Sequence, residues 1–233
     1  MTNLLSKSFF LAISALCVWS IYSAYKISIA DISHYPVKFT ISELQNQQVT
    51  NTQVNKTKTL VALNKAEAKV LTAIKHVPLN AEYYEYLGRI QYLKALANFE
   101  DANLFSEGIN SAYLTHRTAT QLRPEWPYSW ANMALMKSHL KQFDVAYIYA
   151  INQATKFGSW EISSNQALVQ SGFNGWSFIT DDIKEKTVSA LERVFKQRRA
   201  NARLLLKEYK LQNEVCPLLE NQSFKKDRIC RES

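Results

Sequence analysis

Small residues recur in this chain at a spacing that paired helices require. Ala66 and Ala73 are followed by Pro78, and Ala112, Ala119 and Pro124 repeat the same intervals. A third set runs Ala146, Ala150 and Gly158. Bulky residues followed by small ones precede two of these sets: Tyr84, Leu87 and Gly88, then Trp130, Met133 and Ala134. Small side chains let a second helix approach closely, and a proline or glycine just beyond them stops the helix.

These positions fit the frame of a tetratricopeptide (TPR) repeat of 34 residues, one helical hairpin per repeat. Ala66, Ala73 and Pro78 take frame positions 20, 27 and 32, and Tyr84, Leu87 and Gly88 take 4, 7 and 8. Pro78 and Pro124 are separated by 46 residues, one repeat plus an insert of about twelve, placed at Asn98–Gly108 between the helices of that repeat. From Pro124 the frame resumes, with Trp130 at position 4 and Gly158 at 32, while Gln153 misses the small position 27. Beyond Gly158 the signature fades, but helices are expected over Trp160–Gln170, from an N-cap at Thr180 to Gln197, and over Ala200–Leu211. With five glycines and five prolines, a turn-dense β sandwich is excluded. The expected fold is all-α: a TPR-like helical-hairpin solenoid over residues 56–215.

Ser8–Tyr25 is 18 residues without a charge, bounded by Lys7 and Lys26. That length suffices for a spanning helix if Lys26 snorkels. Ser28-Ile29-Ala30 resembles a signal-peptidase site but lies far from the apolar centre. A lipoprotein signal fails because Leu16 precedes Cys17. Residues 1–30 are therefore read as an uncleaved, single-pass signal anchor, with the remainder of the chain expected in the periplasm of a bacterial inner membrane. Residues 31–55 are polar, contain Pro36, and read as a stalk. Residues 216–233 read as a basic tail; from Arg193 onward there are eleven basic and five acidic residues. Such charge suits lipid head groups or an acidic polymer, and equally a solvated helix face. Cys216 and Cys230, the two cysteines beyond the anchor, would pair in an oxidising compartment or remain separate thiols in a loose segment.

Catalytic signatures are missing from the sequence. His34, His76, His116 and His139 are dispersed, with no HExxH or Cys-x-x-Cys spacing and no phosphate-binding loop. Asp181 and Asp182 are explained by the first turn of a helix. A sugar-cleaving enzyme would need two carboxylates facing one cleft, and no such pair stands out. We expect no enzyme, no cofactor, no metal, no small-molecule substrate and, given the export signal, no nucleic-acid partner. The candidates for partner binding lie on a groove expected near Tyr84–Gln91 and Trp130–Lys137: Tyr84, Gln91 and Lys137. To these are added Trp126 and Tyr128, which fill no repeat position.

The stretch RPEWPYSWANMALMK (123–137), then Phe157–Glu161, Gly172 and Trp176, and later Cys216-Pro217-Leu218, resembles polysaccharide-biosynthesis proteins of the VpsP type. Ser159 departs from that family's proline before the tryptophan, and the insert after Gly88 has no counterpart there. The resemblance implies a membrane-anchored helical-repeat accessory protein acting with proteins of an exopolysaccharide synthesis and export complex, and it supplies no catalytic residue. The alternative expectation is the same kind of module in another envelope process, such as cytochrome or cell-wall assembly.

Overall fold

The computed structural model describes residues 2–49 and 56–231, and among them there are helices and no strand. α1 spans Thr2–Val49, α2 Lys56–His76, α3 Ala81–Ala97 and α4 Ala102–Leu122. Next come α5 Pro127–His139, α6 Val145–Gly158, α7 Ile162–Asn174, α8 Asp181–Gln197 and α9 Arg199–Tyr209. Three short helices follow, α10 Gln212–Val215, α11 Gln222–Lys225 and α12 Arg228–Arg231, with a 3₁₀ turn at Cys216–Leu218. The fold is all-α, helical hairpins preceded by one membrane-length helix. Contacts divide the chain into two compact units, residues 1–86 and 87–233, with the boundary inside α3.

In the first unit, Phe9–Leu44 of α1 is long and apolar enough to cross a membrane. The helix does not stop at residue 30. The expected stalk is corrected over 31–49, which continue α1; its residues 50–55 lie outside the described residues. The cause is a stripe with helical spacing. Ala30, His34, Val37 and Ile41 are buried as α1 packs on α2, whose own buried stripe is Leu63, Ala66, Val70 and Ala73. Two polar ties hold this half of α1 to the start of α3. The Tyr83 hydroxyl donates to Asp31 Oδ1 at 2.9 Å, and Lys38 Nζ lies 2.6 Å from Glu82 Oε1. A polar composition concealed a helix stabilised by one face.

In the second unit α5 is central, packing on α4, α6 and α7, while α7 packs on α8 and α8 on α9. α5 thus touches both its own partner, α6, and the first helix of the next hairpin, α7. The frame positions become close contacts. A Cβ at Gly88 would fall 2.6 Å from the His116 ring, so the missing side chain makes room for that buried imidazole. Gly158 is the last residue of α6 and has no left-handed backbone; a Cβ there would meet Pro127 Cβ at 2.4 Å. Its role is close approach of α6 to the start of α5, beyond the helix stop that the frame assigned.

Three further differences from the sequence reading have physical causes. The insert is no loop: residues 98–101 link α3 to α4, and Ala102–Gly108 form the first turns of α4. Asp101 starts them, accepting from Asn103 N and Leu104 N at 3.0 and 3.1 Å. A fourth hairpin, α7–α8, stands where the signature faded, with Gly172 pressed against Thr187. The expected tail is docked, not loose. Phe224 is fully buried and stacks on Phe195 at 3.8 Å, and Glu192 Oε1 accepts from Glu220 N and Asn221 N. Arg203 grips Asp227 with two bonds of 2.8 and 2.6 Å.

The Gly172 contact gives a first test. A methyl group there would sit 2.1 Å from Thr187 Oγ1 and 2.8 Å from its Cβ. Overpacking costs about 1–3 kcal/mol, offset by about 1 kcal/mol of helix propensity gained over glycine. Gly172→Ala is therefore expected to destabilise by about 1 kcal/mol, read as a lowered Tm of the full chain in detergent. Adding Thr187→Ser, which removes the crowding methyl, should restore part of the loss.

Candidate functional site

The site is built where one hairpin gives way to the next. α4 ends at Leu122, and Pro127 opens α5 at the position where its fixed φ and missing N–H are harmless. Trp126 is the residue before it, half-buried and with extended backbone (φ −91°, ψ 111°). The Arg123 guanidinium lies 4.8 Å from the centre of the Trp126 indole, a cation–π contact. Tyr128 meets the same indole edge-to-face, ring centres 5.6 Å apart. The Tyr128 hydroxyl donates a short hydrogen bond to the Glu161 carboxylate.

Neighbouring groups fix this platform. Trp130 Nε1 donates to Pro124 O at 2.7 Å, pinning the loop, and its ring packs edge-on against Tyr149 at 5.4 Å. Asn165 donates to Ser159 O and Glu161 O, and Gln197 Nε2 donates to Trp160 O, so the α6–α7 link is held from α7 and α8. Trp160, beside Glu161, is 67% exposed, and Tyr149 is 52% exposed. The result is a preorganised face of aromatic surface carrying one guanidinium and one carboxylate.

Of the five binding candidates, the structure brings Trp126 and Tyr128 together here. Lys137 is corrected: it is 4% exposed and belongs to the interior. Its Nζ donates to Gln142 Oε1 at 3.0 Å, pairs with Asp144 Oδ2 at 2.9 Å and lies 5.1 Å from the Tyr113 ring centre. A buried ammonium needs these partners, so Lys137 fastens the α5–α6 turn. Burial pushes the Asp144 carboxyl up, but hydrogen bonds from Lys137 and Tyr147 N outweigh it and leave it below the ordinary value. Gln91 is half-buried on α3, with its Oε1 enclosed and facing no protein donor. Tyr84 is half-buried in the first unit. Sequence reasoning missed Arg123 and Glu161 as members of the face; the signal was the FGSWE junction, one hairpin downstream of RPEWPY.

Cys216 and Cys230 are joined as a disulfide, with Cα atoms 5.6 Å apart. No family model, curated protein or solved structure matches the chain.

Proposed function

We propose that this protein is a membrane-anchored, TPR-like adaptor in exopolysaccharide synthesis and export, acting by protein–protein interaction from the periplasmic side of a bacterial inner membrane. The observation that carries the reading is the Arg123–Trp126–Tyr128–Glu161 face, held rigid at a hairpin junction in a chain whose α1 can span a membrane. Rigid aromatic side chains beside Arg are the residues that anchor protein interfaces. The Cys216–Cys230 bond supports an oxidising compartment. The assignment to polysaccharide export rests on the resemblance of residues 123–176 to the VpsP type.

Deleting the gene should abolish or shorten the secreted polymer; unchanged matrix output would refute the reading. Complementation with Trp126→Ala should fail although the variant keeps its Tm. Loss of an anchor of this kind costs about 2 kcal/mol of binding, on the order of thirtyfold in Kd. Co-purification of polymerising or export proteins with the full chain from membranes checks the partner. A variant that unfolds, and so loses the partner only indirectly, would remove Trp126 from the site.

A further inference from the structure

We propose that α1 pairs with α1 of a second copy of this chain, as a parallel two-helix assembly that crosses the membrane and continues beyond it. The inference rests on α1 spanning the membrane. On the side of α1 away from α2, Leu11, Val18, Tyr25, Ile32 and Phe39 recur every seven residues, and all are exposed. Three residues after the first four of these stand Ser14, Ile21, Ser28 and Tyr35. Alternating steps of three and four are the a/d pattern of a left-handed helix pair. Ser14 and Ser28 are small residues of the kind that let helices approach closely within a bilayer.

Lipid covers the lower part of this stripe, but not the upper part. Ile32, Tyr35 and Phe39 are 74%, 63% and 62% exposed on the half of α1 that packs against α2. Lys58, Lys65, Lys69 and Lys75 of α2 are exposed, which sets that half of the hairpin at aqueous depth. A row of large apolar side chains in water calls for a cover.

The identity of the cover follows from the anchor. Copies inserted with one topology lie parallel and level, so each stripe residue meets its own counterpart across a two-fold axis. A seven-residue repeat of large apolar residues is self-complementary under that operation. The opposite face of α1, Ala30, Val37 and Ile41, is already taken by α2, so pairing leaves the hairpin intact.

The test uses the full chain in native membranes, with Cys17 replaced by Ser. Single cysteines at Ile32 and Phe39 should cross-link to dimers under mild oxidation, whereas cysteines at Ser33 and Thr40, on the flank of the helix, should not. Ile32→Glu with Phe39→Glu should weaken energy transfer between labelled copies by at least on the order of tenfold. Retention after alkaline carbonate extraction is scored separately, so failure of the anchor is distinguishable from failure of pairing. An inserted chain whose stripe cysteines do not cross-link, cross-link no better than the flank, or are shielded from a water-soluble maleimide while monomeric overturns the proposal. So does a cross-linked product of another mass.

Discussion

Opening the Cys216–Cys230 bond is expected to destabilise the C-terminal region by about 3 kcal/mol, the loop-closure value for a ring of this size. The residues it encloses carry helices of four residues each, too short to persist alone. Their anchorage is a few contacts: Phe224 on Phe195, Leu219 in the core, Asp227 on Arg203. Each buried apolar side chain contributes about 1–3 kcal/mol, so removing the cross-link puts a large share of the segment's stability at stake. Cys216→Ser with Cys230→Ser, or reduction, should therefore open the chain to protease beyond α9 well before the rest is cut. Alkylation of the full chain from its own membranes, without reductant, should tag Cys17 alone. Tagging of all three cysteines would contradict both the pairing and the oxidising compartment proposed above.

How far the fold was legible depended on what each residue had to signal. The alanines and prolines of the first three hairpins have one function, close approach and then stop, and their spacing survives in sequence. Gly88 against His116 is a close approach of the kind that small frame position 8 anticipates, whereas Gly158 against Pro127 goes beyond the helix stop assigned to position 32. The α7–α8 hairpin makes the same kind of contact through Gly172 and Thr187, but its glycine does not stand at the frame's small position 8, which Leu168 occupies, so the signature was not visible. The continuation of α1 was hidden because four buried residues suffice to hold it, while the intervening polar residues read as linker. Lys137 shows the limit for the site. Nothing in one sequence distinguishes a lysine on an open groove from one folded back onto Gln142 and Asp144. Trp126 and Tyr128 were legible because they had no repeat position to fill; Glu161 was not, because its partner lies one hairpin away.

Acid should weaken the second unit through His139. Burial, with a smaller push from Lys141, holds its imidazole down from 6.5 to about 4. The ring lies among Tyr92 and Phe105, with the Tyr92 oxygen 3.1 Å from Nε2. A neutral imidazole with its proton on Nδ1 accepts that hydroxyl; the protonated ring would be a buried cation with no carboxylate against it among the contacts described. The sign follows from proton uptake. Between pH 6.5 and 4 the unfolded chain binds a proton here that the folded chain refuses, so stability is full above 6.5 and falls as pH drops through that window. Between pH 7 and 4.5 the loss from this group is roughly 2 kcal/mol. His139→Gln keeps an acceptor for Tyr92 and cannot titrate, so its stability should be lower at pH 7 but flatter towards pH 4.5. Urea titrations of the full chain in detergent at several pH values measure both slopes. Parallel curves for the two proteins would show that His139 is as easily protonated folded as unfolded, and that the ring cluster around it is open to water.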